Sequence, residues 1–76
     1  MKELVGALAR ALVRVPEEVA VHEYEEDGDL VLELEVSPED RGRVIGRGGR
    51  TAAALRTIVD AVAARQGRRC GLEILD

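Results

Sequence analysis

Seventy-six residues with a formal net charge of −4 leave room for one small domain and for no second, substrate-binding lobe. Trp and Phe are absent and Tyr24 is the one aromatic, so the core has to come from Leu, Val, Ile and Ala. Cys70 stands alone, which excludes an internal disulfide; no apolar run is long enough to span a membrane, and Met1-Lys2-Glu3 lacks the layout of a signal peptide, so a cytoplasmic location without membrane attachment is expected.

Residues 2–14 predict an amphipathic helix. Leu4, Val5, Leu8, Ala11, Leu12 and Val15 fall at helical spacing on one face, and Pro16 closes it. Residues 19–25, with Val19, Val21 and Tyr24, read as a strand. The polar turn Glu25-Glu26-Asp27-Gly28-Asp29 then predicts a hairpin. Residues 30–36 alternate as a half-buried strand does, with Leu30, Leu32, Leu34 and Val36 on one side and Val31, Glu33 and Glu35 on the other. Ser37-Pro38-Glu39-Asp40 signals a helix start: Ser37 suits the N-cap, Pro38 the first helical position, and Asp40 sits three residues after the cap. That helix is expected over 38–45, where Gly46 interrupts it. A further helix is expected from near Gly49 to about Arg65, with Ala52, Leu55, Ile58, Val59 and Val62 as its stripe and Gln66-Gly67 as its close. Arg68 to Leu75 reads as a last strand, with Cys70, Leu72 and Ile74 on one face.

The order α-β-β-α-α-β makes the fold class α+β. The first two strands pair as a hairpin, and the two-helix crossover returns the third strand parallel to its neighbour with a right-handed connection. The expected architecture is a three-stranded mixed sheet with three helices on one face. The other face carries Glu33, Glu35 and Glu73 and is expected to be wet and acidic.

Within this plan, Val44-Ile45-Gly46-Arg47-Gly48-Gly49-Arg50 stands out. Gly46 and Gly49 make a G-x-x-G loop that brings backbone N–H groups to a helix N-terminus, where no Cβ atoms keep a phosphate away. Charge points the same way once it is read locally. Residues 1–40 hold three basic side chains against twelve acids, whereas residues 41–76 hold eight arginines against three acids. Arg41 to Val59 contains five arginines and no acid. A local basic patch, more than whole-chain charge, steers a nucleic-acid backbone.

A G-x-x-G loop between two helices, with an aliphatic pair before it, resembles the KH module of RNA-binding proteins. A helix and strand placed ahead of the core make the order similar to the type II, prokaryotic KH topology. The nearest resemblance is to the small bacterial single-KH proteins of the KhpA family. It runs through Val36-Ser37-Pro38-Glu39-Asp40-Arg41-Gly42-Arg43-Val44-Ile45-Gly46-Arg47-Gly48-Gly49-Arg50-Thr51-Ala52, Ala54 to Val59, Lys2 to Val5 and Glu73 to Asp76. The resemblance implies one KH domain over residues 1–76, with Gly46 and Gly49 as the paired glycines and Arg47 and Gly48 as the variable positions that meet RNA. Gly48 departs from the polar or basic residue commoner there. Val44, Ile45 and Ala52 are implied as the apolar floor of a groove for about four single-stranded nucleotides, with the strand Leu30–Val36 as its far wall. Arg41, Arg43 and Arg50 add charge to the same turn, and Arg68 and Arg69 lie where type II modules carry a variable loop.

Two functions remain open at this level. One is a single-stranded RNA-binding protein, acting as an RNA chaperone or post-transcriptional regulator. The other, implied by the resemblance, is an adaptor that homodimerises or pairs with a larger KH-containing protein in control of cell elongation and division. No enzyme is expected. The loop is not G-x-x-x-x-G-K-[ST], and no Ser/His/Asp set exists. No cofactor or metal is expected either: His22 and Cys70 are far apart in the chain, and the acids at residues 25–29 lack the length and terminal Glu of a calcium loop.

Overall fold

In a computed structural model, which describes all residues from Met1 to Asp76, six main elements follow the expected order. Helix α1 (Lys2–Leu12) leads into β1 (Ala20–Glu26) and β2 (Asp29–Glu35); α2 (Arg41–Ile45) and α3 (Arg50–Arg65) follow, and β3 (Cys70–Ile74) ends the fold. Short 3₁₀ turns fill Pro16–Glu18, Pro38–Asp40 and Arg47–Gly49. The sheet order is β1-β2-β3, antiparallel between β1 and β2 and parallel between β2 and β3.

The hairpin is tight because Asp27 (φ 54°) and Gly28 (φ 85°) both take positive φ, as a two-residue turn of primed type requires, and Glu26 then pairs with Asp29. The alternation of β2 decides which face is covered. Leu30, Leu32, Leu34 and Val36 are buried and face the helices; they form one core with Val5, Ala9, Val44, Leu55, Val59, Ala63, Cys70 and Leu72. Residues opposite one another in register share a face. Tyr24, Val31 and Gly71 therefore form one row of the open face, and His22, Glu33 and Glu73 the next.

Three local expectations are corrected. Helix α1 stops at Leu12, two residues early, because Val13 is already extended (φ −95°, ψ 165°) and Val15 precedes a proline, which disfavours helical backbone. Its inward face is Val5 and Ala9, both 0% exposed, while Leu12 is 39% exposed. The helix expected over 38–45 is divided into a 3₁₀ turn and the five-residue α2. Ser37 is buried but its hydroxyl makes no capping bond; the backbone bond from Asp40 N to Ser37 O (2.8 Å) closes the turn instead.

Candidate nucleic-acid interface

The loop between α2 and α3 is built from glycine conformations. Gly46 (φ 78°, ψ 169°), Gly48 (φ 62°, ψ 20°) and Gly49 (φ 77°, ψ 13°) all have positive φ. Two distinct demands act here. A Cβ on Gly46 would lie 2.7 Å from Thr51 Cβ and 2.8 Å from Thr51 N, and would run into Thr51 Oγ1. The loop is thus folded flat against the first turn of α3, and only hydrogen fits. At Gly48 nothing lies within 4 Å of the Cβ position, so that residue forms the open tip.

The bare main chain foreseen over residues 46–49 is only half available. Gly46 N donates to Gly42 O (2.9 Å) and Gly49 N donates to Gly46 O (3.0 Å), which closes the turn from within. The first two amides of such a turn, those of Arg47 and Gly48, are the ones that helix geometry leaves without an internal acceptor. They lie at the tip of a short turn that Gly48 and Gly49, both with positive φ, kink before the sixteen-residue α3 begins at Arg50.

The arginines divide by partner. Arg47 and Arg50 are exposed, and neither has an acid within 4.0 Å. Arg43 Nε lies 3.6 Å from Asp40 Oδ1, yet its side chain stays 48% exposed. Arg41 is half-buried, and its Nε is buried without a partner. Arg56 Nε donates to Leu72 O at 3.1 Å. Leu30 N–Arg69 O and Leu75 N–Leu34 O bonds turn the odd residues of β3 toward β2, so Leu72 O points to the open edge and Arg56 covers it. Arg68 is held by Glu25 at 3.1 Å, while Arg69 is exposed and unpaired.

The aliphatic pair ahead of the loop is divided too. Ile45 is 39% exposed, but Val44 is 0% exposed. Val44 is therefore a core residue with no surface to offer as a groove floor, and Ala52, at 4%, offers almost none. Nor is β2 a wall, because it is the middle strand with its leucines inside; β3 is the edge strand packed against α3. A cleft of about 420 Å³ bordered by Asp29, Asp60, Arg68 and Arg69 lies at the opposite end of α3 from the loop. Cys70 adjoins it, and burial pushes its thiol up, which keeps it protonated and unreactive at neutral pH. No three His, Cys, Asp or Glu side chains come together as a set able to hold a metal ion, and no helix is long and apolar enough to cross a membrane.

Sequence reasoning missed one residue that organises this region. Asp40 is 0% exposed, and its carboxylate accepts the backbone N–H groups of Arg14 (3.0 Å) and Val15 (2.9 Å). Its partners are 25 and 26 residues away in the chain, so no local pattern points to them.

A three-stranded mixed sheet with helices on one face, in the order α-β-β-α-α-β and with a positive-φ G-x-x-G loop between α2 and α3, defines a type II KH-like domain. The family model described as KhpA/KhpB, KH domain, matches residues 2–74, and the chain belongs to that family. Among its relatives is the RNA-binding protein KhpA of Halalkalibacterium halodurans, 50% identical over 76 residues and covering 100% of both chains. The protein of the same name from Clostridium perfringens is 48% identical over 75 residues, 99% of this chain and 100% of the relative. The one from Borreliella burgdorferi is 45% identical over 74 residues, 97% and 90% respectively. Among solved structures, a variant of Era from Aquifex aeolicus bound to GDP·AlF4⁻ superposes with a TM-score of 0.65 at 26% identity. The match covers 96% of this chain but 28% of that one, so it shows a shared fold with a small part of a larger protein.

Proposed function

We propose that this chain is a single KH domain that binds single-stranded RNA in the cytoplasm, as an RNA chaperone or post-transcriptional regulator, holding the RNA backbone at residues 46–49. One observation carries the reading. The loop tip is uncovered, with open space around Gly48, and it is flanked by Arg47 and Arg50, exposed and without acidic partners. The amides of Arg47 and Gly48 and the positive end of α3 favour a phosphate there, and the guanidinium groups add charge-assisted bonds. The relatives' name, RNA-binding protein KhpA, supports the same reading.

Base recognition is expected to be weak. Stacking on aromatic side chains supplies roughly 1–3 kcal/mol per base where it operates. Here Tyr24 is the only aromatic, and it lies on the open sheet face, away from the loop. Ile45 is the aliphatic side chain next to the loop that is free to touch a base. Binding by one domain is therefore dominated by the backbone term, salt-sensitive and modest in specificity.

The test is fluorescence anisotropy with a labelled random-sequence 12-nucleotide RNA, comparing the native protein with Gly48→Asp. Asp tolerates the left-handed backbone of that position, so the fold survives, while its carboxylate repels phosphate. Loss of binding with an unchanged circular dichroism spectrum supports the loop; undiminished binding refutes it. A second reading, pairing with another copy or with a larger KH chain, draws on Ile45, next to the loop, and Ile58, in the middle of α3, each 39% exposed. Light scattering of the native protein against Ile58→Glu tests the pairing of two copies, and a monomer in both cases removes that pairing.

A further inference from the structure

We propose that Asp40 is a positioning residue for RNA binding, one that aims Arg43 at the RNA backbone beside the glycine loop; this rests on the reading of the loop just given. Helix α2 has five residues, too few to stand on its own hydrogen bonds. Its direction must be imposed from outside, and there are two anchors. Val44, 0% exposed, fastens its C-terminal half to the core. Asp40 fastens its start, but not as its place in the chain suggests. It occupies the N-cap position of α2 and makes no capping hydrogen bond to the backbone of that helix. Both carboxylate oxygens are directed away, to the backbone N–H groups of Arg14 and Val15 between α1 and β1.

The same Oδ1 that accepts from Arg14 N at 3.0 Å has Arg43 Nε at 3.6 Å. The distance is long for a hydrogen bond, so the contact is an ion pair that orients the guanidinium without enclosing it. The carboxylate is fully buried and held by two backbone N–H groups, whereas the Arg43 side chain is 48% exposed. An exposed arginine normally loses rotamer freedom when it grips a phosphate. A fixed charge behind its Nε removes part of that freedom beforehand and leaves the side chain half exposed, three residues before Gly46. Arg47 and Arg50 have no such support.

A double-mutant cycle separates positioning from plain structural support. Binding of the labelled 12-nucleotide RNA is measured for the native protein, Asp40→Asn, Arg43→Gln and the double variant, at 10 °C, with folding checked by circular dichroism. Each single variant is expected to bind three- to tenfold more weakly, and the double variant within twofold of the weaker single one. Losses that multiply, or a folded Asp40→Asn that binds as the native protein does, overturn the proposal. Asp40→Asn sets one backbone N–H against the carboxamide NH2, so a folded variant is not required for the test. Arg43→Gln alone then decides: its side chain is solvent-facing and the Asp40 bonds to Arg14 and Val15 remain. Native-like RNA affinity for Arg43→Gln means there is nothing for Asp40 to aim, and the proposal falls. A three- to tenfold loss, with amide chemical shifts of Arg14 and Val15 unmoved, upholds it. If the native protein itself fails to bind the RNA, the reading of the loop has failed, a different result from native binding that these variants leave untouched.

Discussion

At the loop end of the molecule Arg47 and Arg50 have no acidic partner, whereas on the open sheet face His22, Tyr24, Glu33 and Glu35 answer one another and Glu73 alone of the acids in their rows stays unpaired. His22 Nε2 lies 3.2 Å from Glu35 Oε1, and Tyr24 OH donates to Glu33 Oε2 at 3.0 Å. Both regions are exposed and charged, and exposure alone does not tell them apart. The difference lies in completeness. Groups on the sheet have neighbours one strand away, fixed by register, whereas the loop arginines project from a turn whose own residues are glycine. A surface whose polar groups are already matched gives a ligand little that is new, and an unmatched one gives it charge and hydrogen-bond donors.

The sharpest way to break the loop is at Gly46. Gly46→Ala brings a Cβ against Thr51 side chain and backbone, in a left-handed conformation as well. Strain and overlap together are expected to cost about 2–4 kcal/mol. Gly48→Ala meets open space, and only the left-handed conformation counts against it, about 1–2 kcal/mol. For a domain of this size each kcal/mol moves Tm by roughly 4–8 °C, so thermal unfolding followed by circular dichroism separates the two. Equal losses would mean that the packing on Thr51 does not explain the glycine at position 46.

Next comes the charge at the loop. Arg47→Gln with Arg50→Gln is expected to weaken RNA binding about tenfold at 0.1 M salt and to lower the slope of log K against log salt by about 1–2, while stability stays within about 0.5 kcal/mol. An unchanged slope would show that these side chains do not replace counterions on the RNA. The mirror experiment neutralises the sheet, Glu33→Gln with Glu73→Gln. Its effect is smaller, a gain in RNA affinity of less than about threefold at 10 mM salt that fades by 0.1 M, where charges are screened beyond about 10 Å. A gain that persists at high salt would mean that RNA touches the sheet.

The fold was legible because its elements carry strong local periods: the β2 alternation, the Asp27-Gly28 turn and the aliphatic stripe of α3 each name their own structure. The glycine loop was legible for the same reason. What escaped was every feature decided by contacts that exist only once the chain has folded. Asp40 reads as the end of a helix-start signal, yet its partners are Arg14 and Val15. Val44 and Ile45 read alike as an apolar pair, but a helix of one turn sends neighbours in directions about 100° apart, so one enters the core and the other does not. The amides of Gly46 and Gly49 looked free because their acceptors, Gly42 O and Gly46 O, exist only once the turn has formed.

The mildest expected effect probes the sheet side on its own. The Tyr24 phenol is pushed above its ordinary value of 10.0, first by its hydrogen bond to Glu33, then by partial burial and by the negative charges of Glu33, Glu26 and Glu73. A raised value means that the folded protein favours the protonated phenol more than the unfolded chain does. Its small stabilising contribution is therefore complete below about pH 10 and is lost as pH rises through the folded-state value. Ultraviolet difference titration at the tyrosinate band should give a midpoint above 10.0 for the native protein. Glu33→Gln should bring that midpoint down, since the negative charge that opposes the phenolate vanishes and a neutral carboxamide oxygen is a weaker acceptor than the carboxylate. Arg47→Gln should not move it, because the loop lies away from the sheet face. If Glu33→Gln leaves the titration where it was, the Tyr24–Glu33 bond is not formed in solution, and the open face is less self-contained than its geometry indicates.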